Sequence, residues 1–258
     1  MTSPQVRWTG TGLSHPGQVR TSNQDAFAID NDLGLWIVAD GMGGYTGGQV
    51  ASELAVTAMM THMRSLLDSP SPEADTLARA TTMLTQAISA AKTALQARIA
   101  EEPELRGMGT TVVAAWVVPD PEPSMAIAHV GDSRAYRIRG TQLELVTTDH
   151  SLVQQLLTEG HITVEQAQDH PKRNVIVRAL GLHFPSTPDV TVHRLEPADR
   201  FVLCTDGLTK MLSDKEIQTI LLEYPHVPEE ACRQLIERSN TAGGNDNTTA
   251  LLITPYVS

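Results

Sequence analysis

Two long segments with helical periodicity stand near the beginning of a chain whose other ordered segments resemble short strands. Apolar residues recur at every third or fourth position from about residue 48 to 67 and again from about 73 to 100. A Ser-Pro-Ser-Pro tetrapeptide at 69–72 separates them, because proline ends one helix and is tolerated at the start of the next. We therefore expect an antiparallel pair of helices that packs its apolar face on a sheet.

The predicted strands are short, rich in β-branched and aliphatic residues, and bounded by Gly, Asp and Pro; they include 35–39, 110–118, 125–130, 135–138, 201–204 and 249–253. They do not alternate regularly with helices, which favours antiparallel pairing. Two further helices are expected, one after Ser213 and one around 229–238. The polar stretch 147–180 has weak periodicity, and both a lid or recognition element and a plain surface excursion fit it.

Composition restricts the class of protein. The 258 residues include 19 Lys and Arg against 30 Asp and Glu, which gives a formal net charge of −11. That sign is wrong for a protein that binds nucleic acid or an anionic membrane surface. Two cysteines cannot build a disulfide framework, and we find no apolar segment of signal-peptide or membrane length. The sequence predicts a cytoplasmic protein with residues 1–258 in a single domain and with no nucleic-acid or membrane partner.

Four aspartates stand at or beside the ends of apolar strands, next to small residues; they are Asp40, Asp132, Asp206 and Asp246. Each Asp-Gly or similar pair is by itself only a turn signal. Three or four carboxylates that met at one point would repel one another unless a cation lay between them. Oxygen ligands suit the hard ions Mg²⁺ and Mn²⁺ and argue against zinc or copper. Spacing alone does not establish that these side chains converge.

An ordered set of motifs covers nearly the whole chain, from about Gly12 to Ile253: VRTSNQD, VADGMGG, GMGTTVVAA, IAHVGDSRAY, DHSLVQQL, VLCTDGL and GGNDNTTALL. Together they resemble the type-2C metal-dependent protein phosphatases, the PPM family, and especially its compact bacterial members. The resemblance implies an α+β fold, a four-layer αββα sandwich. In such a fold two antiparallel sheets are flanked by antiparallel helix pairs, and a dinuclear metal centre lies at one end.

The resemblance also implies roles for individual residues. Asp40 matches the carboxylate that bridges two metal ions, and the Gly41 carbonyl matches a ligand of one of them. Asp206 and Asp246 match ligands of the other ion. Asp25 matches an acidic position that holds a metal-bound water. The expected cofactor is therefore a pair of Mn²⁺ or Mg²⁺ ions.

Two further matches extend this site. Asp132 together with Asp206 matches a third, weaker metal site of bacterial members, and Arg20 matches the arginine that grips the substrate phosphate. A planar guanidinium that stays charged suits that task. The implied reaction is hydrolysis of phosphoserine and phosphothreonine by in-line attack of a metal-bridging water or hydroxide, with Asp40 and Arg20 as catalytic residues.

The same resemblance implies partners for the chain. They are phosphorylated proteins, the targets of a cognate Ser/Thr kinase, together with the kinase itself. We expect a monomer. The polar stretch 147–180 matches the flap over the site in this family, and we call residues 147–180 the flap.

One departure from the family pattern concerns the loop after Asp40. Many bacterial relatives have Gly-Met-Gly-Gly-His, whereas this chain has Tyr45 in the histidine position. An unperturbed phenol titrates near about 10 and is a poor proton donor for a leaving group. This leaves the acid unassigned, with several histidines as candidate substitutes: His15, His129, His150, His161 and His170. It also keeps open an alternative, a phosphatase-like sensing or binding module with little turnover.

Three other classes of active site fit the sequence less well. Cys232 and Arg238 satisfy the C-x₅-R spacing of cysteine phosphatases, but the residues between them lack glycine and have a helical pattern. The glycines of 41–48 lack the Lys and Ser or Thr that a nucleotide-binding P-loop requires. Ser133 lacks the G-x-S-x-G elbow of serine hydrolases.

Overall fold

The computed structural model of this chain describes residues 6–67, 75–118, 123–181 and 184–257. Its strands are β1 Val6–His15, β2 Asp25–Asp30, β3 Leu35–Met42, β4 Gly109–Thr110, β5 Val112–Val118, β6 Ser124–Val130, β7 Arg134–Arg139, β8 Gln142–Leu145, β9 Leu180–Gly181, β10 Asp189–Arg194, β11 Arg200–Cys204 and β12 Thr248–Val257. Its helices are α1 Gly44–Leu67, α2 Thr76–Glu101, α3 Leu152–Thr158, α4 Val164–Gln168, α5 Asp206–Thr209, α6 Asp214–Glu223 and α7 Pro228–Thr241, with a 3₁₀ turn at Pro103–Leu105.

The strands form two sheets. One has five strands in the order β1-β12-β11-β7-β8; the other has seven, in the order β10-β6-β5-β3-β4-β9, with β2 paired to β3. Every strand pair in the described ranges is antiparallel. Trp36 and Val38 of β3 pack with Phe201 and Leu203 of β11 in one apolar cluster, which fills the space between the sheets.

Helices cover the outer face of each sheet. The alternate residues of β3, Leu35 and Ile37, point away from the second sheet and pack with the buried faces of α1 and α2. On the other side, α5, α6 and α7 pack on β7, β11 and β12. This arrangement confirms the predicted α+β sandwich with four layers. Among the helices of the described ranges, none has the length and apolar character that a bilayer crossing demands.

Most predicted elements are present, with shifted ends. The first helix begins at Gly44 rather than near 48, and the second runs over Thr76–Glu101 rather than from 73 to 100. The tetrapeptide 69–72 lies outside the described residues. The strand expected over 110–118 is divided at Thr111, because β4 pairs with the end of β3 while β5 pairs with its beginning and with β6.

Candidate metal centre

Five aspartates meet at one end of the sandwich because the strands that carry them are neighbours. Asp40 lies near the end of β3, directly opposite Asp25 at the start of β2. Asp206 begins α5 just after β11, and Asp246 stands two residues before β12, the strand that pairs with β11. Asp132 lies in the turn between β6 and β7. We call these five side chains the carboxylate cluster.

The charges of the cluster act on one another. Burial raises the pKa of Asp40 well above its usual range, and the charges of Asp25, Asp206, Asp132 and Asp246 raise it further. Burial also raises the pKa of Asp25 to about 7, against the lowering effect of hydrogen bonds from two threonines. For Asp132, burial and then the charge of Asp206 raise the pKa to about 7. These effects agree with the strand pairings, which bring the carboxylates together at one end of the sandwich.

Three oxygens of the cluster are buried and have no hydrogen-bond partner within the described part of the chain. They are the Oδ1 atoms of Asp25, Asp132 and Asp206. A buried carboxylate oxygen without a partner is costly. Oxygen-ligated ions would give such atoms partners, and carboxylate oxygens are the ligands that Mg²⁺ and Mn²⁺ prefer. The cluster therefore fits such ions by its donor atoms.

Asp25 connects the two sheets beneath the cluster. Its Oδ2 accepts hydrogen bonds from Oγ1 of Thr205, at 2.9 Å, and from Oγ1 of Thr249, at 2.7 Å. The Thr249 amide in turn donates to Oγ1 of Thr205 at 2.9 Å. These contacts hold one oxygen of Asp25 and leave the other free for a ligand.

The backbone beside Asp40 is closely packed. The Gly41 amide donates to the Gln24 carbonyl at 3.1 Å. A Cβ at Gly41 would lie 2.1 Å from the Gly48 carbonyl oxygen and 2.5 Å from that of Gln24. Only glycine fits there, so the close packing of this turn against the main chain of Gln24 and Gly48 depends on the absence of a side chain.

Arg20 lies at the solvent side of the cluster. Its Nε is 2.9 Å from Oδ1 of Asp246, and its Nη2 donates to Oδ2 of the same carboxylate at 3.1 Å. The Arg20 side chain is 56% exposed, so its guanidinium can also reach a ligand in solution. A guanidinium in this position is suited to a phosphate.

A cleft of 680 Å³ opens over the cluster. Asp132, Asp206 and Asp246 line it together with Arg20 and Lys210, and the flap provides its other wall through Val153, Gln154, Leu157, Val164, Ala167, Gln168, Arg173 and Asn174. Neither flap helix, α3 nor α4, has a buried residue. The side chains of this wall are therefore partly exposed, and its apolar residues can contact a ligand in the cleft.

The family model described as Protein phosphatase 2C matches residues 11–249. The chain belongs to the protein phosphatase 2C family. This result confirms the resemblance seen in the motifs.

Individual relatives of this PP2C chain are bacterial. The serine/threonine protein phosphatase PstP of Mycobacterium tuberculosis is 38% identical over 239 residues, which is 93% of this chain and 43% of PstP. The chain thus spans less than half the length of PstP. The serine/threonine phosphatase stp of Listeria monocytogenes is 37% identical over 243 residues, 92% of each chain. The solved PstP catalytic domain in complex with two manganese ions superposes with a TM-score of 0.81 at 34% identity, covering 97% of this chain and 99% of that one.

A second cluster of polar residues was not foreseen from the sequence of this PP2C chain. His129 and His150 stack with ring centroids 4.4 Å apart, and both are buried. The Gly131 amide donates to Nδ1 of His150 at 3.1 Å, so Nε2 of His150 carries the proton and donates to Asp189 at 3.0 Å. Arg178, at the end of the flap, donates to the same carboxylate at 2.8 Å.

This histidine cluster does not offer a good metal site. The ligand atoms of His129, His150 and Asp189 all lie within 4.8 Å of one another, closer than any three of the five aspartates. However, both nitrogens of His150 are engaged in hydrogen bonds, and Nε2 of His129 donates to the Thr148 carbonyl at 2.8 Å. Burial lowers the pKa of both histidines, which keeps them neutral. Within the described ranges, no histidine lines the cleft.

The histidine cluster joins the flap to the turn that carries Asp132. His150 makes two bonds to Gly131, since its own amide also donates to the Gly131 carbonyl at 2.9 Å. The Val177 amide donates to the His150 carbonyl at 2.8 Å, which closes the base of the flap. His150 therefore bonds to both the amide and the carbonyl of Gly131, the residue next to Asp132.

Replacement of His150 by leucine is expected to destabilise the protein. It leaves the buried Gly131 amide without its acceptor, a loss of about 1–3 kcal/mol, so the melting temperature should fall by about 3 °C or more. The control is His161→Leu, since His161 is an exposed flap residue. Thermal unfolding followed by circular dichroism measures both; equal melting temperatures for the two variants would contradict this role.

The structure gives no support to the other active-site classes. Cys232 lies buried in α7, where burial raises the pKa of its thiol to about 12, and the helical segment that follows it cannot turn its amides toward a phosphate. Ser133 is buried and shares a hydrogen bond of 2.6 Å with Oγ1 of Thr111. Residues from Gly44 onward form α1, without a lysine at its start.

Proposed function

We propose that this chain is a metal-dependent protein phosphatase that hydrolyses phosphoserine and phosphothreonine in proteins. The observation that carries the proposal is the carboxylate cluster, in which three buried oxygens lack partners and two of them belong to residues that line an open cleft, Asp132 and Asp206. Membership of the PP2C family supports the same reaction. The relatives named above are serine/threonine phosphatases, and the chain covers most of the Listeria protein.

Each residue of the cluster would have a role that follows from its position and charge. Asp40, the Gly41 carbonyl, Asp206 and Asp246 would hold the two ions, and Asp25 would hold water beside them. When bound, Mn²⁺ or Mg²⁺ supplies Lewis-acid activation of water and neutralises charge on the phosphoryl group. The aspartates fix the positions of these charges before substrate arrives, because strands on both sheets hold them.

Arg20 would bind and orient the phosphoryl group. Its guanidinium stays charged at every relevant pH and can donate two parallel hydrogen bonds to phosphate oxygens. Its present partner, Asp246, keeps it directed toward the cluster. Arg20 would thus exchange part of a carboxylate contact for a phosphate contact when substrate binds.

The proposal extends to cofactor, partners and setting. Two manganese ions are bound in the solved PstP domain, which supports two Mn²⁺ or Mg²⁺ ions here. The substrates would be phosphorylated targets of a Ser/Thr kinase, and the kinase itself, met by a monomer in the cytoplasm. Both cysteines are free and buried, as a reducing compartment allows.

The test is steady-state phosphate release from a phosphothreonine peptide and from p-nitrophenyl phosphate, with Mn²⁺, with Mg²⁺ and with EDTA. We expect turnover of both compounds with either metal and none with EDTA. Metal binding without turnover of either compound would overturn the proposal and favour a sensing module. The chain retains every aspartate that matches a metal ligand, which favours the active enzyme, and Tyr45 is the feature of the sequence that points to the module.

Replacement of Arg20 by alanine is expected to raise KM for the phosphothreonine peptide by about tenfold or more, since it removes a charged pair of hydrogen bonds worth about 1.5–3 kcal/mol. Binding of Mn²⁺, measured by titration calorimetry, should be retained. The matched control is Arg106→Ala, an exposed arginine that does not line the cleft. An unchanged KM in Arg20→Ala would remove Arg20 from the site.

A further inference from the structure

The two oxygens of Asp206 have different surroundings. Its Oδ1 is buried and has no hydrogen-bond partner among the residues described, whereas its Oδ2 forms a salt bridge with the ammonium of Lys210. The pairing follows from helix geometry, because Asp206 begins α5 and Lys210 stands four residues later on the same face. One oxygen of Asp206 is thus available to an ion, and the other already faces a positive charge.

Lys210 belongs to the cleft and not to the outer surface. Its side chain is 34% exposed, and it lines the cleft beside Asp132, Asp206 and Asp246. The Lys210 ammonium is thus in direct contact with Asp206 and faces the same cleft as Asp132.

We infer that Lys210 supplies the positive charge between Asp132 and Asp206 and keeps a divalent ion out of that position. This inference rests on the proposed function, because it concerns a neighbour of the same metal centre. The chain would then hold two ions, and a lysine would stand where the resemblance implies a third. Such a lysine is a fixed part of the protein, so this charge would not depend on the concentration of free metal.

Two physical arguments favour the lysine over the ion. An ammonium and a divalent cation at the same carboxylate repel each other strongly in a partly buried site. A third ion would also need an oxygen from each of Asp132 and Asp206. An ion of the pair would take Oδ1 of Asp206, and its Oδ2 already forms the salt bridge with Lys210. Binding of the ion would require Lys210 to give up its salt bridge and move into the cleft.

The test is titration of the metal-free protein with Mn²⁺ by isothermal calorimetry, with bound metal counted by elemental analysis. Wild type should bind two ions. Lys210→Met keeps the length of the side chain and removes its charge, so we expect a third ion, with a dissociation constant at least tenfold lower than any third binding event in wild type. Lys215→Met is the control, because Lys215 is an exposed lysine on α6, and it should behave as wild type.

A second variant, Lys210→Gln, repeats the measurement if Lys210→Met does not fold by circular dichroism. Equal numbers and affinities of ions in wild type and in the folded variant would overturn the inference, and so would three tightly bound ions in wild type. Failure of the proposed function looks different, because it is the absence of phosphate release in the wild type with any metal. The calorimetric count does not depend on turnover.

Discussion

Replacing Asp40 or Asp206 by alanine is expected to lower phosphate release by about a thousandfold or more. Each substitution removes a ligand from the carboxylate cluster and leaves the remaining carboxylates with less positive charge between them. The loss of one partner of a buried charged group is far more harmful than the loss of a surface charge. The measurement is steady-state hydrolysis of the phosphothreonine peptide at saturating Mn²⁺.

The matched control is Asp32→Ala, since Asp32 is an exposed aspartate in the turn between β2 and β3. It should retain the wild-type rate. Calorimetry on the same samples should show weakened Mn²⁺ binding in Asp40→Ala and Asp206→Ala alone. Full metal-dependent activity in Asp206→Ala would contradict its assignment as a ligand.

The second large effect concerns stability without metal. In EDTA, Asp132→Asn is expected to melt above wild type, because the asparagine removes a buried charge whose pKa lies at about 7 in the folded protein. The usual pKa of the unfolded carboxyl is 3.8. Between these values the folded state holds more protons than the unfolded state, so the stability of wild type falls as pH rises.

The advantage of Asp132→Asn should therefore increase from about pH 4 to pH 7 and then stay constant, reaching at least about 5 °C in melting temperature. The buried histidines, His129 and His150, also respond to pH, but they are common to both proteins and cancel in the difference. Asp40→Asn should show the same direction, since its pKa is also raised by burial and by its neighbours.

Saturating Mn²⁺ should reverse the order for Asp40→Asn, because an ion that binds only the folded state stabilises wild type. Differential scanning fluorimetry across pH, with EDTA and with Mn²⁺, measures all of these differences. If both variants melted below wild type in EDTA at pH 7, the carboxylates would not be destabilising one another, and the argument from their charges would be wrong.

The sequence predicted the four longest helices best, because the helical period of their apolar residues is visible in the local sequence. It did not predict the short helices α3, α4 and α5, or the strands β1, β2, β8, β9 and β10. β1 contains two glycines among polar residues, Gly10 and Gly12, and their places in the strand are decided by contacts with the side chains of Trp36 and Phe27. Such contacts join residues that are distant in the chain, and no local pattern contains them.

The sequence likewise predicted only part of the site. The motifs and their order indicated which aspartates matter, whereas their convergence depends on strand pairings such as that of Asp25 with Asp40. The sequence did not reveal the roles of Lys210 or His150. In the sequence, Lys210 looks like an ordinary surface lysine that follows an Asp-Gly turn. Its contact with Asp206 arises because α5 begins at that aspartate. The role of His150 depends on its contacts with Gly131 and Asp189, which are distant in the sequence.

The central claim is that the carboxylate cluster holds the metal ions of a phosphatase. Anomalous diffraction at the manganese absorption edge, from crystals grown with Mn²⁺, tests it most directly. The account predicts two peaks within about 2.5 Å of carboxylate oxygens of Asp40, Asp206 and Asp246, and no third peak between Asp132 and Asp206. Peaks only at His129, His150 and Asp189, or no peak at the cluster, would contradict it.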